Sequence, residues 1–226
     1  MTQNNKFEEQ FTLPQKYYIE NLDFINWYRF FYLVKDTLRF RCQSVLEVGS
    51  GSGFVKSCLT PHVKNYLVLD INEKLNPDFV QDVRVHNKKL KDKFDAIIIA
   101  DVLEHLPFED IENTVSNLFN YLKDEGVMFV TIPHRQSNFL FMTPNQIPRP
   151  FSIPTGFLSF GAFYRRFIRR KIWIDPSHCW EIGDGNIKVN DIDKIFSNAG
   201  FVKVSFKKLI YVDYWILKKQ EIKKTV

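Results

Sequence analysis

The stretch Val45 to Val55, VLEVGSGSGFV, limits the fold more than any other part of the chain: an apolar run carrying one acid, Glu47, leads directly into Gly49, Gly51 and Gly53. A strand that opens into glycines and continues as a helix turns free N–H groups and the positive end of a helix dipole toward one spot. Without Cβ atoms there, a ligand can lie against the backbone, so the pattern reads as a cofactor cradle. A dinucleotide fingerprint, G-x-G-x-x-G, would need its third glycine where Phe54 stands, which disfavours a nicotinamide cofactor.

The surrounding pattern fits that cradle. Short apolar runs recur as SVLEV, YLVLD, DFVQD, FDAIIIA and GVMFVTIP. Continuous rather than alternating hydrophobicity is what a strand buried on both faces requires, and such strands belong to parallel α/β sheets. Phe108, Ile111, Val115, Leu118, Phe119 and Leu122 recur at helical spacing and predict a crossover helix over 108–123. Residues 16–40, free of proline and glycine and dense in aromatics, predict a further helix. The segment 134–187 breaks the rhythm with five prolines and reads as an insertion over one edge. Asn190 is expected to cap a helix that Gly200 ends, and FVKVSFKK and IYVDYWILKK read as closing strands. At 226 residues the chain suits one domain with a decoration. Its parts are a helical cap (1–41), a cofactor-binding core (42–133), a substrate lid (134–187) and a closing helix with strands (188–226).

In the form E-x-G-x-G-x-G the loop resembles motif I of the class I S-adenosylmethionine-dependent methyltransferases. Further motifs follow in that family's order: YLVLD ends in Asp70, where the family places an acid for the ribose hydroxyls; FVQDV puts Asp82 where it has an acid near the adenine amino group; FDAIIIADVLEHLP is similar to its fourth-strand motif; and LKDEGVMFVTIP is similar to the next one. The likeness covers roughly 42–133 and, more weakly, 188–218. It implies a Rossmann-like α/β fold with a seven-stranded, mostly parallel sheet whose last strand is antiparallel. It implies S-adenosylmethionine as cofactor and S-adenosylhomocysteine as product. The cofactor residues it implies are Glu47, Gly49, Ser50, Gly51, Gly53, Asp70, Ile71, Asp82, Val83, Ala100, Asp101 and Val102. One departure is the dozen residues between Asp70 and Asp82, too few for a full crossover helix.

For the methyl transfer itself two histidines are candidates. His178 sits in DPSHCWEIG, similar to a Pro-x-x-His segment in the branch that methylates hydroxyls of quinone precursors, and would take the acceptor's proton; a loop-ordering hydrogen bond is its plainer role. His134 follows the fifth strand, whose end faces the ligand crevice in doubly wound sheets. Asp101, Glu104 and His105 have the residue types of a metal triad, but the resemblance assigns this stretch to the cofactor pocket, and no metal is expected. The acceptor expected is a small molecule methylated on a hydroxyl, with a lipid-linked, glycan or other anionic metabolite in view. The motivation is FYRRFIRRK, which on a helix opposes Phe163, Tyr164, Phe167 and Ile168 to Arg165, Arg166, Arg169 and Arg170. The segment 163–171 reads as a lid helix or as a peripheral contact with the inner face of a membrane, and nucleic acid is disfavoured as a partner. A non-catalytic cofactor-binding subunit and an RNA or protein methyltransferase are the rival readings. Cys42, Cys58 and Cys179 form no C-x-x-C pair, the first ten residues resemble no signal peptide, and no window reaches the length of a spanning helix, so the expected location is the cytoplasm.

Overall fold

The computed structural model describes residues 9–134, 136–142, 148–154, 160–164, 168–169, 175–183 and 187–220. The apolar runs become strands whose successive side chains enter two different cores. In β1 (Ser44–Val48), Leu46 and Val48 join one core and Val45 the other. In β4 (Phe94–Ala100), Ile97 and Ile99 part from Ala96 and Ile98 in the same way. Continuous hydrophobicity is thus the requirement of period-two side chains facing apolar layers on both sides. Each fully buried Leu, Ile or Phe contributes about 1.5–3 kcal/mol to holding these layers together.

With β2 (Asn65–Asp70), β3 (Phe79–Val80), β5 (Leu122–Pro133), β8 (Phe201–Lys208) and β9 (Val212–Lys219), the strands form one sheet in the order β3-β2-β1-β4-β5-β9-β8. β1 runs parallel to β2 and β4, and β4 parallel to β5, whereas β9 runs antiparallel to both β5 and β8. This is the seven-stranded sheet with an antiparallel last strand that the motifs imply. The short spacing before Asp82 has a structural answer: a 3-10 turn, Glu73–Leu75, replaces a crossover helix, and β3 is two residues long. A separate antiparallel hairpin, β6 (Gln136–Met142) with β7 (Pro148–Pro154), lies within the expected insertion.

The expected helix over 16–40 is two helices, α1 (Gln15–Glu20) and α2 (Phe24–Arg39). Asp23 separates them by capping α2, its carboxylate accepting the Asn26 N–H at 2.8 Å. α3 (Phe54–Leu59) follows the glycine loop, and α4 (Ile111–Tyr121) is the crossover helix. α5 (Phe160–Phe163) is four residues long. α6 (Val189–Asn198) begins after Lys188, so Asn190 is its second residue rather than its cap; the Asp191 carboxylate instead accepts the Lys188 N–H at 3.0 Å. α2 and α3 pack on one face of the sheet, α4 and α6 on the other. Of the basic run, Arg165, Arg166 and Arg170 lie outside the described residues, while Phe163, Tyr164, Ile168 and Arg169 are exposed. No helix among the described residues is long and apolar enough to cross a membrane.

Strand order reverses at β1 and β4, with β2 on one side and β5 on the other. The carboxyl ends of these two strands therefore diverge in their connections and leave a crevice.

Candidate active site

A cavity of about 1010 Å³ occupies that crevice. This volume lies at the upper end of the range for small-molecule pockets, roughly 300–1000 Å³, which leaves room for two ligands side by side. Four stretches wall it: the ends of β1, β2 and β4 with the loops that follow them, Gln81 to Arg84 after β3, the N-terminal segment from Glu9 to Phe30, and the loop Asp175 to Cys179. The rim between the last two is closed by a hydrogen bond from Gln10 Nε2 to the Ser177 carbonyl at 3.2 Å.

The glycines of the loop serve different needs. A Cβ on Gly49, whose φ is +76°, would lie 2.4 Å from Val102 Cγ2, so the loop after β4 demands that bareness. Gly53 meets Gln15 in the same way, starts α3 and does not line the cavity. Gly51, with φ +47°, lines it, and the nearest atom to an added Cβ is Tyr18 Cδ1 at an ordinary 3.7 Å. Space over Gly51 is thus left by the protein, not filled by it. Beneath the loop, Glu47 is buried and lines the cavity; its Oε2 has no hydrogen-bond partner, and burial pushes its carboxyl up to about 8.

Asp70 ends β2 and fastens two loops at once. Its Oδ2 accepts the Ser50 N–H at 3.0 Å and its Oδ1 the Asn72 N–H at 2.9 Å, while burial raises its carboxyl above the ordinary range. Ser50 and Ile71, the neighbours expected beside it, line the cavity. Asn72, unnoticed in the sequence, ties the N-terminal segment down by donating its Nδ2 to the Leu13 carbonyl at 2.8 Å. Asp82 and Val83 line the adjoining wall. Arg84 grips Asp82 from two residues away, with Nε 3.1 Å from Oδ1 and the outer guanidinium nitrogen 2.6 Å from Oδ2, and this holds the Asp82 carboxyl low.

Ala100, Asp101 and Val102 also line the cavity. Asp101 adopts φ +53°, and its carboxylate is engaged by three donors: it pairs with Arg29 of α2, and it accepts the Tyr211 hydroxyl at 2.6 Å and the Thr131 hydroxyl at 2.6 Å. Those donors come from three separate elements, so Asp101 fastens the N-terminal helix and the β8–β9 connection to the site.

The histidines separate. His134 is 4% exposed and does not line the cavity. Its ring is enclosed beside the Leu209 carbonyl (3.3 Å) and Asp213 (3.9 Å), and burial lowers its pKa. His178 lines the cavity, and its Nδ1 lies 2.7 Å from Glu181 Oε1. Beside it stand His105, with Nδ1 2.8 Å from the Ser177 carbonyl, and Glu104, which is fully buried. Burial pushes Glu104 up to about 8 and His105 down to about 4. Trp180 is a core residue: it packs on Phe108 and donates to the Leu106 carbonyl at 3.0 Å, anchoring the His178 loop. Sequence reasoning gave no role to Arg29, Asn72, Arg84, Tyr211 or Glu181; Asn72, Arg84 and Glu181 stand two or three residues from Asp70, Asp82 and His178 and so carried a local signal, whereas Arg29 and Tyr211 carried none.

A fold with this crevice, a glycine loop and acids at the ends of β1 and β2 defines a nucleoside-cofactor enzyme of the Rossmann-like class. A family model described as a methyltransferase domain matches residues 27–205, and the chain belongs to that family: it is an S-adenosylmethionine-dependent methyltransferase. Curated proteins give no significant match. Among solved structures, the N-methyltransferase NodS from Bradyrhizobium japonicum WM9 in complex with S-adenosylhomocysteine is 13% identical, with 98% of this chain and 100% of that one covered and a TM-score of 0.62. A methyltransferase from Clostridium acetobutylicum ATCC 824 is 15% identical over 97% of this chain and 100% of that one, at 0.57. The 1,6-didemethyltoxoflavin-N1-methyltransferase of Burkholderia thailandensis is 10% identical over 85% of this chain and 77% of that one, at 0.54. At these identities the likeness is one of fold.

Proposed function

We propose that the cavity takes the cofactor along its Glu47 to Asp70 wall and a small hydroxyl-bearing acceptor at its His178 end, giving a methyl ether. S-Adenosylmethionine supplies, when bound, an electrophilic methyl group on a positively charged sulfur. Of this chain's residues, Glu47 offers a buried acceptor that lacks a donor, suited to the ammonium of the methionine end. Gly51 leaves room for that end, and Asp70, with lone pairs to spare beyond two backbone N–H groups, suits the ribose hydroxyls. Ser50, Ile71 and Val83 complete that wall, Ala100 and Val102 the methionine side, and Asp82 keeps the adenine role with Arg84 orienting it. Gly49 and Gly53 act by letting Val102 and Gln15 approach, and Asp101 acts as a fastening point.

The observation that carries the acceptor assignment is His178. Its ring shares a cavity with the glycine loop, and Glu181 fixes its orientation from the Nδ1 side. That leaves Nε2 able to draw off a hydroxyl proton, directly or through an ion that it holds. The division into cap (1–41), cofactor core (42–133), lid (134–187) and closing segment (188–226) is part of this reading, as is an anionic or lipid-linked acceptor met by the basic run at 163–171 near a membrane's inner face. Two of the structural neighbours named above methylate nitrogen, so the test must tell atoms apart. Methyl-labelled S-adenosylmethionine incubated with the protein and the small-molecule fraction of a cell extract is expected to yield an acid-stable labelled ether. A labelled methylamine or a methylated carbon as the sole product would overturn the hydroxyl assignment.

A further inference from the structure

At the acceptor end every converging side-chain atom is a hydrogen-bond acceptor. Glu104, His105 and His178 each present one ligating atom, and these atoms all lie within 4.8 Å of one another. His178 Nε2 is 4.0 Å from Glu104 Oε1, and the two imidazoles meet edge to face with centroids 4.7 Å apart. The tautomers follow from what the other ring nitrogens touch. A carbonyl can only accept, so His105 Nδ1, 2.8 Å from the Ser177 oxygen, carries the proton. The same holds for His178 Nδ1, 2.7 Å from the Glu181 carboxylate. His178 Nε2 is therefore an acceptor facing the Glu104 carboxyl, which is 0% exposed and has no hydrogen-bond partner on either oxygen, and His105 brings a ring nitrogen within 4.8 Å of both. A proton on Glu104 could satisfy one of these contacts. A cation between them satisfies all three.

We propose that Glu104, His105 and His178 hold a divalent transition-metal ion, of the Zn²⁺, Mn²⁺ or Co²⁺ type, whose open coordination positions face the cavity and take an acceptor hydroxyl. Two imidazoles and one carboxylate are the donor set such ions favour, and three protein ligands with free positions is the arrangement of a catalytic rather than a structural ion. Bonds of about 2.0–2.2 Å to one ion require ligand atoms about 3–4 Å apart, a range whose upper end His178 Nε2 and Glu104 Oε1 already reach at 4.0 Å. His105 and His178 line the cavity while Glu104 does not, so the carboxylate closes the back of the site and the front is open. Glu181 and the Ser177 carbonyl supply the outer contacts that ligating histidines usually have. The two loops are also clasped to each other: Cys179 N–H donates to the Glu104 carbonyl at 2.7 Å and Trp180 to the Leu106 carbonyl at 3.0 Å. Sequence reasoning weighed a triad of Asp101, Glu104 and His105; the fold removes Asp101, tying it to Arg29, Tyr211 and Thr131, and puts His178 in its place.

The inference rests on the hydroxyl reading and deepens it. An ion here would let the hydroxyl lose its proton to water near neutral pH, with His178 acting as a ligand rather than as the base. The oxygen's electron pair then forms the bond to the methyl carbon, while the carbon–sulfur bond breaks with its pair remaining on sulfur, leaving a neutral thioether.

The test uses the whole chain, stripped with a chelator that is then removed. Uptake of Mn²⁺ is followed by electron paramagnetic resonance, Co²⁺ by visible absorption and Zn²⁺ by calorimetry. One ion per chain is expected, with affinity lowered at least about 100-fold in His178→Ala and Glu104→Gln and about 10- to 100-fold in Glu181→Gln, which only orients a ligand. Circular dichroism and S-adenosylhomocysteine binding report whether each variant is folded; should Glu104→Gln not fold, His178→Ala, on a surface loop, decides. Failure of all three ions to bind the folded chain stoichiometrically, or equal binding by His178→Ala, overturns the ion site. If labelled ether still forms in that case, the hydroxyl reading survives alone. Ion uptake lost in the variants, with labelled amine as product, upholds the ion and removes the hydroxyl reading.

Discussion

The two ends of the cavity are built differently. At the cofactor end the contact that shapes the site joins Ser50, in the loop after β1, to Asp70, twenty positions on at the end of the adjacent parallel β2, and each glycine is set by its own backbone dihedral. At the acceptor end, His105 meets Ser177 across 72 positions, and a single buried carboxyl collects groups from two loops. The first end is a local fold with a bare backbone. The second is an assembly of polar side chains, and its geometry depends on everything that clasps the two loops. Substitutions should therefore separate binding of cofactor from turnover.

The largest separation is expected from His178→Ala. Turnover should fall by roughly 10²- to 10⁴-fold, the usual contribution of a group that manages a proton, while S-adenosylhomocysteine affinity measured by calorimetry stays within about twofold. Retention of more than about a third of wild-type kcat would reduce His178 to a loop-ordering residue. Conversely, Gly51→Arg should weaken S-adenosylhomocysteine binding at least about 100-fold, about 2.7 kcal/mol, because its side chain enters the space that Tyr18 leaves open and its backbone must keep φ near +47°. Unchanged affinity in a folded variant would remove the loop from the cofactor site.

A substitution between the two ends tests the fastening rather than either ligand. Arg29→Ala leaves Asp101 with two hydroxyl donors and no cation. Its expected cost is about 2 kcal/mol in a denaturant titration, below the 3–5 kcal/mol of a wholly buried pair because both partners keep some contact with solvent. An undiminished midpoint would mean that α2 is held by its apolar face alone.

The smallest effect concerns pH. Glu47 is pushed up to about 8 in the fold, whereas an unfolded chain titrates it near the ordinary carboxylate value. The folded state therefore binds the extra proton between those values. The stability this contributes is complete below the ordinary carboxylate range and is lost as pH rises through about 8. Glu47→Gln should accordingly gain a few degrees in Tm over wild type at pH 8 and little at pH 4, in the absence of cofactor. A difference that does not grow with pH would mean that Glu47 is not protonated in the fold.

Much of the cofactor end was legible in the chain because the signals there are short-ranged. Apolar runs of the right length declared strands buried on both faces, and glycines at alternate positions declared a bare backbone, which the fold turns with positive φ. The brief link from Asp70 to Asp82 declared that no helix could cross there. Helix ends were less legible: Asp23 divides a stretch with no breaker residues, and Asp191 rather than Asn190 closes the start of α6. Those outcomes turn on which of several polar side chains reaches a free N–H first.

The sequence by itself determined the sheet, its order of motifs and the bare glycine loop that opens on the cavity, since each follows from residue spacing along one strand and its adjoining turn. Only the tertiary structure decided that His178 faces the cavity while His134 is enclosed beside Asp213, that Asp101 is consumed by Arg29, Tyr211 and Thr131, and that Glu104, His105 and His178 come together. The physical reason is that a charged side chain's role is fixed by the partners that desolvate or neutralise it, and here those partners are brought from far along the chain by strand topology rather than by neighbouring sequence.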